Sequence, residues 1–140
     1  MAAGPEALLW QAMRRSMPKT YLAHRIENRA GGGIPDVKLL IDGYHLEIEL
    51  KVPVRNFVKL SSHQIAYLYS YSRAKGCCFV LAKSPGSRII HLFSGSLAVE
   101  LAERPMSEVQ GSTFESFDAL WGGLRSLVLD HYAALRPCGG

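Results

Sequence analysis

The chain has 140 residues, 48% hydrophobic and 20% charged, with mean hydropathy near zero, a formal net charge of +4 and a pI of about 9.1. That length makes one domain with room for a real core, and no apolar run approaches the roughly 18 residues a membrane span needs. Residues 1–100 hold 13 Lys/Arg against 7 Asp/Glu, and residues 101–140 hold 3 against 5. The basic body suits a phosphate backbone, although charge alone describes any soluble basic protein equally well.

In chain order, Pro5 to about Arg15 predicts a short helix with Pro in its first turn and an apolar stripe of Leu8, Leu9, Ala12 and Met13. Pro18 stops it. Arg14 and Arg15 follow the apolar stretch instead of preceding it, unlike a signal peptide. Thr20 to Ile26 reads as a strand, and Asn28 to Ile34 as a Gly-rich loop. Val37 to Ile41 and Tyr44 to Val52 read as two strands joined at Asp42-Gly43, a strong two-residue hairpin signal. Pro53 to Lys59 connects to a helix that Ser61 or Ser62 caps, which runs to about Lys75 and ends at Gly76. Cys77 to Ala82 and Arg88 to Phe93 are further strands, and Ser96 to Glu103 a short helix. Ser112, with Glu115 three residues on, carries a capping-box pattern and predicts a long helix to about Leu135. These elements predict a single α/β or α+β domain, residues 1–140, around a mixed central sheet flanked by helices. Its core spans about 5–95, and 112–135 form a helical extension.

Side chains alternate faces along a strand. In the second hairpin strand Tyr44, Leu46, Ile48, Leu50 and Val52 therefore point one way, while His45, Glu47, Glu49 and Lys51 point the other. Asp36 stands just before the hairpin, with twelve residues between it and Glu49, and the turn folds it back toward Glu49 and Lys51. Two carboxylates can share a hard cation through oxygen, and a lysine beside them can steady a water or a phosphate oxygen. The plainer alternative is a half-exposed hairpin with a solvated charged face.

Ile34-Pro35-Asp36 followed by Glu49-Leu50-Lys51 resembles the signature of the PD-(D/E)xK nuclease superfamily. Within it, roughly the first 95 residues look most like archaeal-type Holliday junction resolvases and their phage relatives. The resemblance implies a restriction-endonuclease-like core and a structure-specific DNA endonuclease dependent on Mg²⁺, with Mn²⁺ able to substitute. Asp36, Glu49, the Leu50 carbonyl and, on the first helix, Glu6 would bind metal. Lys51 would orient a water or stabilise charge, and Gln64, early in the following helix, would lie close to the scissile phosphate. The expected products are a 5′-phosphate and a 3′-hydroxyl. Branched DNA as partner, a homodimer presenting two sites, and a cytoplasmic setting in a bacterial or archaeal cell, from the host or a phage, follow from the same resemblance. Restriction, mismatch or flap endonucleases and a non-catalytic DNA-binding module of the same fold are the alternatives.

The remaining residues divide by chemistry. Glu27 is the rival of Glu6 as third acid, with pairing to Arg25 or Arg29 as its plain reading, and Glu47 either extends the acidic site or lies outside it. For Glu6 and Gln64 the plain readings are a helix-dipole acid and an ordinary first-turn residue. Arg25, Arg29, Lys38, Arg55 and Lys59 are candidates for phosphate contacts, though each alone reads as a surface cation. His45 and His63 read as solvated or supporting histidines, and Tyr67, Tyr69 and Tyr71 as packing residues. Gly31-Gly32-Gly33 lacks the P-loop lysine, so no nucleotide cofactor is expected; the loop would let backbone approach DNA or another subunit closely. Cys77, Cys78 and Cys138 make an odd set of reduced thiols, and adjacent Cys77 and Cys78 face opposite sides of a strand. Phe114, Phe117, Leu120, Trp121, Leu124, Leu127, Val128 and Tyr132 form an apolar surface available to a dimer or to the core. Gly122-Gly123 within it imply close packing or a kink.

Overall fold

A computed structural model of the chain describes residues 4–26 and 33–136. Asp42 and Gly43 take φ values of 52° and 83°, the paired left-handed geometry of a two-residue hairpin turn. The turn joins β2 (Val37–Ile41) to β3 (Tyr44–Lys51), with Ile41 opposite Tyr44 and Val37 opposite Ile48. β1 (Leu22–Arg25) adds antiparallel to β2. From β3 the chain crosses through α2 (Ser62–Arg73) and returns as β4 (Cys78–Ala82), parallel to β3. β5 (Ile90–Ser94) and β6 (Ser112–Phe114) complete a mixed six-stranded sheet in sequential order, each antiparallel to its predecessor. This is the α+β arrangement expected, a mixed central sheet flanked by helices.

Each face of the sheet has its own core. On one, Leu9, Trp10 and Met13 of α1 (Pro5–Ser16) and Leu120, Trp121, Leu124 and Val128 of α4 (Phe117–Ala134) pack on Leu46, Ile48 and Leu50. On the other, Leu68 of α2 and Ala98 and Leu101 of α3 (Ala98–Glu103) pack on Cys78, Val80 and Phe93. Cys77 and Cys78 fall in opposite cores, as strand alternation requires. Leu8 is left out of the α1 stripe, 54% exposed, while Trp10 is buried in it.

The predicted helix from Ser112 is corrected at its start. Ser112–Phe114 is a strand, with Ile90 opposite Phe114, and the helix is capped four residues later than the capping-box pattern implied, at Ser116 instead of Ser112. Ser116 is the cap, its Oγ accepting from the Ala119 N–H at 3.1 Å. The free edge of β5 supplies a ladder partner that outcompetes the local signal, a long-range contact invisible in a short window. The apolar face of α4 covers the chain's own core, so it is taken up within the monomer. Gly123 sits where an added Cβ would collide with the Phe114 ring, whereas Gly122 faces open space. Close packing therefore accounts for one glycine of the pair.

Candidate active site

The two acids on the outward face of β3 are not solvated, while His45 and Lys51 on the same face are half-buried. Glu47 and Glu49 are each 1% exposed, because α2 lies across them; this overturns the half-exposed hairpin as an account of the acids. Ser61 caps α2: its Oγ accepts from the Gln64 N–H at 3.1 Å, and Gln64 Oε1 accepts from the Ser61 N–H at 2.9 Å. That reciprocal cap leaves Gln64 Nε2 free to donate to Glu49 Oε2 at 3.3 Å. Gln64 is thus a first-turn capping residue that also contacts Glu49. One turn later the Tyr67 hydroxyl donates to Glu47 Oε1 at 2.9 Å and approaches Oε2 at 3.2 Å. Three residues of helix rise about 4.5 Å and two of strand about 6.6 Å, so Gln64 and Tyr67 on one helix face reach Glu49 and Glu47 on one strand face.

Asp36 enters from the residue before β2. Its carbonyl accepts from the Ile26 N–H at 2.6 Å, anchoring it to β1, and its Oδ2 accepts from the Leu50 N–H at 3.0 Å. The same carboxylate lies close enough to Glu49 to act on it electrostatically. Burial, then the charge of the neighbouring Asp36 carboxylate, push the Glu49 carboxyl up to about 9, with Lys51 opposing. Lys51, its side chain 13% exposed, places Nζ 3.8 Å from Glu49 Oε2 and 3.9 Å from Glu6 Oε1. Partial burial raises the Glu6 carboxyl; Lys51 offsets this, Asp36 adds to it and Arg25 offsets it further. Glu6, Asp36, Glu49, Leu50, Lys51 and Gln64 are therefore brought together from α1, the β2 entry, β3 and α2.

Glu47 shares the face of Glu49, but its carboxylate is occupied by Tyr67. Arg25 ends β1, close enough to act on Glu6, and Lys38 lies directly across the sheet from Glu47 and is exposed. Arg55 and Lys59 are exposed between β3 and α2. His63 is exposed, and the His45 carbonyl accepts from the Tyr132 hydroxyl. Glu27, Arg29 and Cys138 lie outside the described residues, as do Gly31 and Gly32. Gly33, at φ +74°, is packed so closely on the His63 carbonyl that a Cβ would collide with it. The close approach expected of the glycine loop is, at Gly33, made to the chain's own α2. The sequence reading missed the role of Tyr67. Its spacing of i+3 from Gln64, matched to the i, i+2 acids of β3, was the available signal.

No family model matches the chain, and no curated protein matches it. Among solved structures it is similar to Hjc from Archaeoglobus fulgidus, a Holliday junction resolvase from an archaeal hyperthermophile. The two share 20% identity over 64% of this chain and 72% of that one, with a TM-score of 0.45.

The donors at the site are oxygens. Among the described residues no three His, Cys, Asp or Glu side chains converge to hold a metal by themselves. Mg²⁺ asks for less, since it is commonly held by one or two carboxylates and completes its shell with water and substrate phosphate. A buried carboxyl raised by a neighbouring carboxylate fits such a cation, because its charge would let both ionise. An apolar cavity of about 350 Å³ between α1 and the ends of β3 and β4, lined by Leu8, Leu9, Val52 and Pro85, offers no comparable chemistry.

Proposed function

We infer that this chain is a divalent-cation-dependent endonuclease that hydrolyses DNA phosphodiesters at branch points, as a four-way junction resolvase. The observation that carries the reading is the convergence of three groups: Asp36, whose Oδ2 accepts from the Leu50 N–H, the buried Glu49 next to it in the strand, and Lys51, 3.8 Å from Glu49. Asp36 and Glu49, with the Leu50 carbonyl and Glu6, would hold Mg²⁺ or Mn²⁺. Such a cation supplies Lewis-acid polarisation of the phosphate and lowers the pKa of a water at the site. Asp36 is held by the Leu50 N–H and Glu49 by Gln64, so both acids keep their orientation when substrate arrives. Lys51 orients the attacking water or stabilises negative charge on the phosphate. Ca²⁺, with its larger and looser shell, should occupy the site and support little cleavage.

The surplus of basic residues over residues 1–100 supports a polyanionic substrate, with Arg25, Arg29, Lys38, Arg55 and Lys59 as backbone contacts. Nicking two strands of a junction calls for two sites, most simply in a homodimer. The deciding experiment is cleavage of a fixed four-way junction, a matched linear duplex and a flap in Mg²⁺, with Glu49→Ala as control. Paired symmetric nicks in the junction alone, lost in the variant, are expected. Cutting of duplex or flap instead would retain the chemistry and discard the junction, and a folded protein inert on every DNA would discard the chemistry.

A further inference from the structure

The segment joining β3 to α2 leaves from Lys51 and returns at Ser61, so both of its ends lie at the acid cluster. Within it Val54 and Phe57 exchange both backbone hydrogen bonds, at 2.9 and 3.0 Å. This closes a two-residue turn in which Arg55 and Asn56 take φ values of 51° and 68°. Glycine or asparagine ordinarily fills such positions; an arginine there is disfavoured by its Cβ and keeps a long cation at the tip. The turn is held from behind. The Met106 N–H donates to the Asn56 carbonyl at 2.6 Å, and Asn56 Nδ2 donates to Ser107 Oγ at 2.8 Å. Pro53 and Val58 on either side are buried, the latter 2% exposed. Yet the two residues that flank the tip are apolar and open to solvent, Val54 at 48% and Phe57 at 40%.

We propose that this turn is a preformed wedge whose Phe57 stacks on an unpaired or unstacked base beside the cut phosphate, with Arg55 on the neighbouring phosphate. The proposal rests on the endonuclease reading of the Asp36–Glu49 site and names what selects distorted DNA there. Arg55 is four residues from Lys51, hence within about 14 Å of it even if the chain is extended. That distance covers only a few nucleotides at about 3.4 Å each along a strand. Apolar side chains enter base steps where DNA is kinked or open, and aromatic rings stack on exposed bases whatever their sequence. In a continuous duplex every base is already stacked, so the wedge would find a partner only where pairing or stacking is broken. A rigid turn also loses little conformational freedom on binding.

The test measures affinity of the full chain for a four-way junction, a flap and a matched linear duplex in EDTA, so that nothing is cut. Phe57→Ala should weaken junction and flap binding roughly ten- to a hundredfold and leave duplex binding within about twofold of wild type. Phe57→Trp should keep the wild-type affinities, and its added emission should be quenched by the junction and not by the duplex. The native Trp10 and Trp121 are buried, at 9% and 4% exposure, so the new signal stands apart from theirs. Equal effects of Phe57→Ala on all three DNAs, or none, would overturn the wedge, as would a sedimentation shift showing that Phe57 contacts a second copy instead. If the wild type cuts junctions and Phe57→Ala is indistinguishable from it, the wedge alone fails. If the wild type neither binds nor cuts any DNA, the endonuclease reading falls and the wedge with it.

Discussion

On one face of β3, Leu46, Ile48 and Leu50 are fully buried against α1 and α4; on the other, Glu47 and Glu49, 1% exposed, lie beneath α2. The burial is equal and the energetics are opposite. Each buried aliphatic side chain contributes about 1.5–3 kcal/mol, whereas a buried carboxylate costs several kcal/mol unless hydrogen bonds and counter-charge offset it. Tyr67 donates to Glu47, while at Glu49 Gln64 and Lys51 oppose the cost of burial without overcoming it, since its carboxyl stays raised. The contrast teaches that the two faces, equally buried, make opposite demands: the aliphatic face stabilises by burial alone, while the acid face is a cost that the fold must carry, as functional sites often are.

Exchanging neighbouring residues on the two faces tests the contrast most directly. Leu50→Ala should lower unfolding free energy by about 2–5 kcal/mol, read from urea denaturation, while Glu49→Gln should match or exceed wild-type stability and be inactive on DNA. A Glu49→Gln protein destabilised as much as Leu50→Ala would show that the acid face is structural after all. The pH dependence comes next. The folded-state value of Glu49 is raised above its ordinary 4.5 to about 9, so the native state holds the extra proton between those limits. Its contribution is complete below about pH 4.5 and is lost as pH rises through about 9. Metal-free wild type should therefore lose up to about 1.4 kcal/mol per pH unit across that window, relative to a flatter Glu49→Gln profile. Mg²⁺ or Mn²⁺ should reduce the slope by taking the place of the proton.

Removing one hydroxyl probes the offset itself. Tyr67→Phe leaves the buried Glu47 carboxylate without its donor and should cost about 1–3 kcal/mol, measurable by thermal or urea unfolding. Gly122 and Gly123 give the smallest effect and an internal control on the aliphatic face. Gly122→Ala, facing open space, should gain about 1 kcal/mol of helix propensity, whereas Gly123→Ala should lose stability against the Phe114 ring.

The hairpin was legible because its signals are local: Asp42-Gly43 sets the turn and alternation assigns each side chain to a face, so Asp36, Glu49 and Lys51 could be grouped from spacing. Glu6 and Gln64 came only from resemblance, and no local rule brings α1 and α2 to one strand end. The start of α4 was misread because Ser112 and Glu115 imitate a cap while the decisive partner, β5, lies some twenty residues away.

By itself, then, the sequence determined which residues are strands and helices wherever periodicity, caps and turns agree within a few residues, and which side of β3 carries the acids. Only the tertiary structure decided that this acid side is dry, that Tyr67 and Gln64 hold its two carboxylates, that Gly33 packs on its own α2, and that α4 spends its apolar face on the monomer core. These outcomes depend on contacts between segments far apart in the chain. Burial is a property of what lies across from a residue, and alternation can state only which way that residue points.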